Sequence, residues 1–162
     1  MDKNEEKLLR NELVRLLNGS GAHAHFEPAI DKVPKKFYGA SVKELPYTLW
    51  QLLEHMRLAQ FDILDYIKNP DYRERQWPQD YWPKEKSPAT TSEWNKSIEH
   101  IQRDLQEIKE LVENPKTQIL EPIPHLKNGP SILREILLVA DHNAYHIGQI
   151  VLLRRLLGIW KD

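Results

Sequence analysis

The chain has 162 residues, a formal net charge of −1 and no cysteine. That length suits one domain with a real hydrophobic core, expected to span 1–162, and the near-neutral charge offers no basic field for nucleic acid. Without cysteine there are no disulfides and no thiolate ligands, so a transition-metal site has to be built from His, Asp or Glu.

The N-terminal stretch MDKNEEKLLR is charged throughout, unlike a secretory signal. No apolar run is expected to approach the roughly 18 residues of a membrane span, so no membrane association and a cytoplasmic location are expected. A first helix, about 3–18, sets Leu8, Leu9, Leu13, Leu16 and Leu17 on one side and ends at NGSGA. A second follows Pro46. Thr48 and Gln51 have the spacing of a capping box, apolar residues recur from Leu49 to Ile67, and Asn69-Pro70 stops it. A third opens on Thr90 and Glu93, again spaced as a capping box, with a stripe through Trp94, Ile98, Ile101, Leu105, Ile108 and Leu111–Val112. A fourth runs from Ser131 to Gly158 and is apolar on much of its circumference, which predicts that it is the most buried.

No strand alternation appears. The expected fold is all-α, a four-helix bundle, with long connections at 19–47, 69–89 and 114–130 that read as crossovers or covers rather than tight turns. The middle connection holds Tyr72, Trp77, Tyr81 and Trp82, an aromatic density that predicts a loop packed on the domain, either ordered by its own rings or laid over a pocket mouth.

The fourth helix contains DHNAYHIGQ, in which His142 and His146 stand four apart on one helical face. The spacing is that of the zinc-protease signature H-E-x-x-H, but Asn143 stands where that signature has its glutamate. Two imidazoles on an apolar helix need partners, and a shared divalent cation would satisfy both; separate solvent or neighbouring-helix contacts would also do so. His55, in the second helix, reaches the same point if the two helices are neighbours. Three histidines would leave an open coordination position, the mark of a catalytic rather than a closed structural site. Asp141 beside His142, and Glu135 and Gln149 seven residues to either side of it, are candidates to line the site or orient its ligands. Glu54 is a further carboxylate candidate, and Glu54, Glu135 and Asp141 are the available general bases. His23, His25 and His125 lie in connections, where a closed site could draw a fourth ligand; His100 reads as a surface residue.

The segments PYTLWQLLEHMRLAQFDILDYI and LREILLVADHNAYHIGQIVLLRRLLGIW, with the WPQDYWP loop and the ATTSEW helix start, resemble the DinB-like superfamily of YfiT-like metalloenzymes over nearly the whole chain. The resemblance implies a four-helix bundle in up-down-down-up order, often a homodimer, with nickel, zinc or a related divalent ion held by His55, His142 and His146. Relatives of this kind include thiol-dependent enzymes, bacillithiol S-transferases and a mycothiol-dependent maleylpyruvate isomerase. A metal-dependent S-transferase joining a low-molecular-weight thiol co-substrate to a small electrophile is therefore the leading expectation. Metal-dependent hydrolysis and a non-enzymatic, metal-stabilised stress-response or interaction module are the alternatives.

Overall fold

The computed structural model describes residues 2–19, 21–43 and 45–161. Five helices are found among them and no strand: α1 (Lys3–Leu17), α2 (Phe26–Ile30), α3 (Leu49–Lys68), α4 (Thr91–Glu113) and α5 (Ile132–Leu156), with a 3-10 turn at Lys35–Phe37. The fold is thus all-helical, as the periodicity predicts. The five-residue α2 is an addition to the sequence reading, since FEPAI is too short to show a helical period.

The helix ends follow local chemistry. At α3 the Thr48 hydroxyl accepts from Gln51 N–H and the Gln51 side chain accepts from Thr48 N–H, the expected reciprocal box. At α4 only half of the box forms. Thr90 accepts from Glu93 N–H, but the Glu93 carboxylate takes the N–H of Ala89 instead of Thr90. Past α5, Gly158 adopts φ 69°, a left-handed conformation that a side chain would disfavour.

α1 and α3 each pack against both α4 and α5. Hydrogen bonds join Glu54 to Ser97, Gln60 to Ile101 and Lys68 to Glu107, so residue numbers rise together along α3 and α4. The segment between these helices is laid back along α3. Tyr72 meets Asp62, Tyr81 meets His55 and Lys86 meets Thr48.

The buried apolar residues form two clusters. One joins α2 and the first half of α3 to Trp94, Ile101, Ile147 and Ile150. The other joins α1 and the end of α3 to Ile108, Val112, Ile136 and Val139. Between them lies a polar layer. Gln60, only 1% exposed, donates to the Ile101 carbonyl (2.7 Å) and accepts from Asn143 Nδ2 (2.8 Å).

Two expectations about α5 are corrected. It is not the most buried helix: 12 of the 20 residues of α3 are buried, against nine of 25 in α5. The difference arises because Leu137, Tyr145, Leu152 and Leu156 share one outward face of α5. By length and composition α5 also reaches what a membrane crossing needs, contrary to the sequence reading. Its buried Glu135, His146 and Arg154, and its packing against α1, α2 and α3, are those of a helix enclosed by other helices.

Two buried arginines tie off helix ends. Arg10 donates to the carbonyls of Val112, in the last turn of α4, and of Asn114 and Thr117 just past it. Arg154 donates to those of Pro28, Ala29, Asp31 and Ile159, fastening α2 and the C-terminal segment to α5. Such carbonyls have no helical partner, and a cation also suits the helix dipole. Arg154→Met is expected to cost about 2–3 kcal/mol in urea unfolding, the size of lost charged hydrogen bonds, whereas Leu8→Ala on the exposed side of α1 should cost less than about 1 kcal/mol.

Candidate metal centre

His55 projects from the middle of α3, and His142 and His146 project from one face of α5, packed antiparallel to it. The three rings converge. Ring centroids lie 5.0 Å apart for His55 and His142, 4.5 Å for His55 and His146, and 4.4 Å for His142 and His146. One ligand-capable nitrogen from each lies within 4.8 Å of the others. His55 Nε2 and His142 Nε2 are 3.1 Å apart, close to the ~3.4 Å that two nitrogens span around a tetrahedral ion at bond lengths of about 2.1 Å.

The rings are oriented from behind. His55 Nδ1–H donates to the Tyr81 carbonyl (2.9 Å), which leaves its Nε2 lone pair facing the other two histidines. His146 Nδ1–H donates to Gln149 Oε1 (2.7 Å), with the same effect on its Nε2. Trp82 stacks on His55 with centroids 3.9 Å apart and planes 5° from parallel.

Burial holds all three imidazoles below their ordinary pKa. His142 is pushed down to about 3 by burial and then by the positive charges His146 and His55 would carry, and His146 to about 4 by burial and then by His55. His55 is lowered by burial, against which its bond to Tyr81 acts. The set is therefore neutral near pH 7, the form that binds a cation.

A cavity of roughly 630 Å³ opens over the three rings. Its walls include Tyr47, Asp62, Trp77, Trp82, Leu138 and Tyr145. Asp62, buried one helical turn and three residues beyond His55, accepts from Tyr81 Oη (2.7 Å) and Tyr72 Oη (3.2 Å) and pairs with Arg75 (3.3 Å). Burial and the Asp62 charge raise both phenols, Tyr72 to about 12, so they remain protonated donors. The aromatic loop thus reaches over the pocket rather than merely holding itself together.

The other sequence candidates separate. Gln149 accepts from His146 Nδ1 and lines the cavity. Asp141 is exposed and lies outside the cavity wall, because one step along a helix turns it about 100° from His142. Glu54 is turned by the same step from His55 toward α4, where Ser97 and Arg57 donate to it. Glu135 is buried against Arg134 about 10 Å along the axis from His142 and faces a different cavity. Asn143 faces Gln60 and not the histidines. His23 and His25 line a separate cavity on another side of α5, and His125 bonds the Tyr66 carbonyl, so none of the three closes the site. Sequence reasoning missed Asp62 and the Tyr81 carbonyl. The seven-residue spacing from His55 points to Asp62; nothing in the sequence points to a carbonyl.

The fold and site define an all-helical protein with a three-histidine group able to hold a divalent ion. The family model described as DinB family matches residues 20–161, and the chain belongs to that family. No curated protein and no solved structure matches it.

Because the folded state keeps these imidazoles neutral while the unfolded chain titrates near 6.5, the unfolded state binds more protons below that pH. Stability of the metal-free protein is therefore expected to be fully present above about pH 6.5 and to fall on acidification toward pH 5. His142→Gln should flatten that slope in urea midpoints measured across the window.

Proposed function

We propose that this protein is a divalent-metal-dependent enzyme, an S-transferase that joins a low-molecular-weight thiol to a small electrophile. The observation that carries the reading is the convergence of three neutral imidazoles, two oriented through their Nδ1 atoms, beneath an open cavity. The donor set fits the ion: three borderline nitrogen ligands suit zinc or nickel. A divalent ion bound there supplies a Lewis acid that favours the deprotonated form of a coordinated thiol.

The chain's own residues do the rest. The Tyr81 carbonyl and Gln149 hold the ligand rings in one tautomer, and Trp82 packs against His55. Aromatic walls exclude water from the cavity and position the electrophile. In the overall reaction a carbon–sulfur bond forms, the leaving group departs with its electron pair, and the thiol proton passes to solvent. No protein nucleophile is required, which suits a chain without cysteine. Hydrolysis is less well supported, because Glu54, Glu135 and Asp141, its candidate bases, all point elsewhere.

The parallel pairing of α3 with α4, and the loop laid back along α3, support an up-down-down-up bundle with a crossover at that loop. The outward face of α5, with Leu137, Leu152 and Leu156, is the surface proposed for a second copy in a homodimer.

Purified protein is expected to carry close to one divalent ion per chain by elemental analysis, and His142→Ala to lose it. Stoichiometric metal in that variant would remove the proposal. With metal bound, the protein should consume thiol in the presence of an electrophile, and chelation should abolish this across a panel of both.

A further inference from the structure

We infer that the cavity over the histidines takes the flat, uncharged aromatic body of its small-molecule substrate, and that Trp77 is the platform on which that body stacks; the inference rests on the enzymatic reading above and specifies its substrate class.

Trp77 is 66% exposed, more than any other large apolar residue described. An indole left this open forgoes burial that would otherwise stabilise the fold. Its neighbours cover it only in part. Tyr81 is 5.4 Å away, centroid to centroid, at 51°, and the His55 ring meets it edge-on at 6.2 Å. Yet the residue is not on a loose tip. Tyr72, Arg75 and Tyr81, which flank it in the chain, all converge on the buried carboxylate of Asp62. A rigidly carried aromatic ring at a cavity mouth loses little freedom when a ligand stacks on it.

The cavity's chemistry limits what can follow. Among the described residues no lysine or arginine lines it. Asp62, the carboxylate among those described lining residues, already has both oxygens engaged, by the two phenols and Arg75. Apart from an ion held by the histidines, a charged group entering the cavity would give up hydration without a counter-charge. Tyr47, Tyr145 and Trp82 instead offer ring surface, and roughly 630 Å³ accommodates a molecule of one or two rings. The charged end of any co-substrate thiol has to remain at the mouth.

The test is the affinity of 2-naphthol, by calorimetry, for metal-loaded and chelated protein. Decahydro-2-naphthol serves as the saturated control and naphthalene-2-sulfonate as the charged one. We expect 2-naphthol to bind both forms, and both controls to bind the chelated form at least fivefold more weakly. Trp77→Ala should weaken 2-naphthol about fivefold, the size of one aromatic stacking contact, while Trp77→Phe stays within about twofold. Trp77-dependent binding by protein that takes up no divalent ion when offered zinc or nickel would keep this inference and sink the metal reading. Three outcomes on chelated protein overturn the inference: unchanged affinity in Trp77→Ala, equal binding of the saturated alcohol, or tighter binding of the sulfonate. If the first comes with loss of a dimer, Trp77 is instead a contact between copies.

Discussion

The hydrogen bond from His55 Nδ1 to the Tyr81 carbonyl joins the rigid part of the molecule to its irregular part. On the helix side it sets which nitrogen of His55 faces His142 and His146. On the loop side it fixes a carbonyl that would otherwise need another donor. Because the chain cannot move Tyr81 without moving its neighbours, the same bond seats Trp82 flat on the imidazole and brings Tyr81 and Trp77 to the cavity mouth. Asp62 secures the arrangement from a second point by accepting from the Tyr81 hydroxyl. One residue is thus held at both ends, by its backbone and by its phenol, and the pocket wall is built from what lies around it.

The histidines sit where the core changes character. Apolar clusters fill the space on either side, and the level between them is occupied by Gln60, Asn143 and the three imidazoles. Buried polar groups are costly unless paired, so this level fixes how α3, α4 and α5 slide against one another: the Gln60 amide reaches the Ile101 carbonyl and Asn143 in one register only. The same layer answers why Asn143 stands inside the histidine pair. It lies about 100° around the helix from His142 and about 60° from His146, and serves the contact between helices.

The long helices were legible because each carries three or more turns of apolar periodicity and a capping residue at its start. The histidine group was legible because His142 and His146 repeat at a helical spacing and His55 lies in another strongly periodic segment. The carboxylate candidates stand away from the histidines for a geometric reason. Closeness in sequence on a helix is not closeness in space around a side chain: one step rotates Asp141 and Glu54 off the face, and seven steps carry Glu135 about two turns along the axis. The loop's role was hidden for a different reason. Its decisive group is a backbone carbonyl, which every residue has, and its aromatic rings fit equally well with self-packing. The burial ranking failed at α5 because composition counts apolar residues without saying which side they face, and Leu137, Tyr145, Leu152 and Leu156 face outward.

The loop laid back along α3 is unevenly stretched. From Tyr81 to Lys86, five residues follow α3 from His55 to Thr48, about 10 Å of helix, with a reach of only about 17 Å. From Tyr72 to Tyr81, nine residues able to reach about 30 Å cover a similar length of helix between Asp62 and His55. The first stretch has little chain to spare. The second has more, and the Arg75–Asp62 pair takes up part of it and steadies Trp77. Residues could be added or removed between Arg75 and Tyr81 with less pull on His55 than the same change after Tyr81. The molecule therefore keeps apart the part of its pocket wall that can be resized from the part that must stay in register with the ligand set.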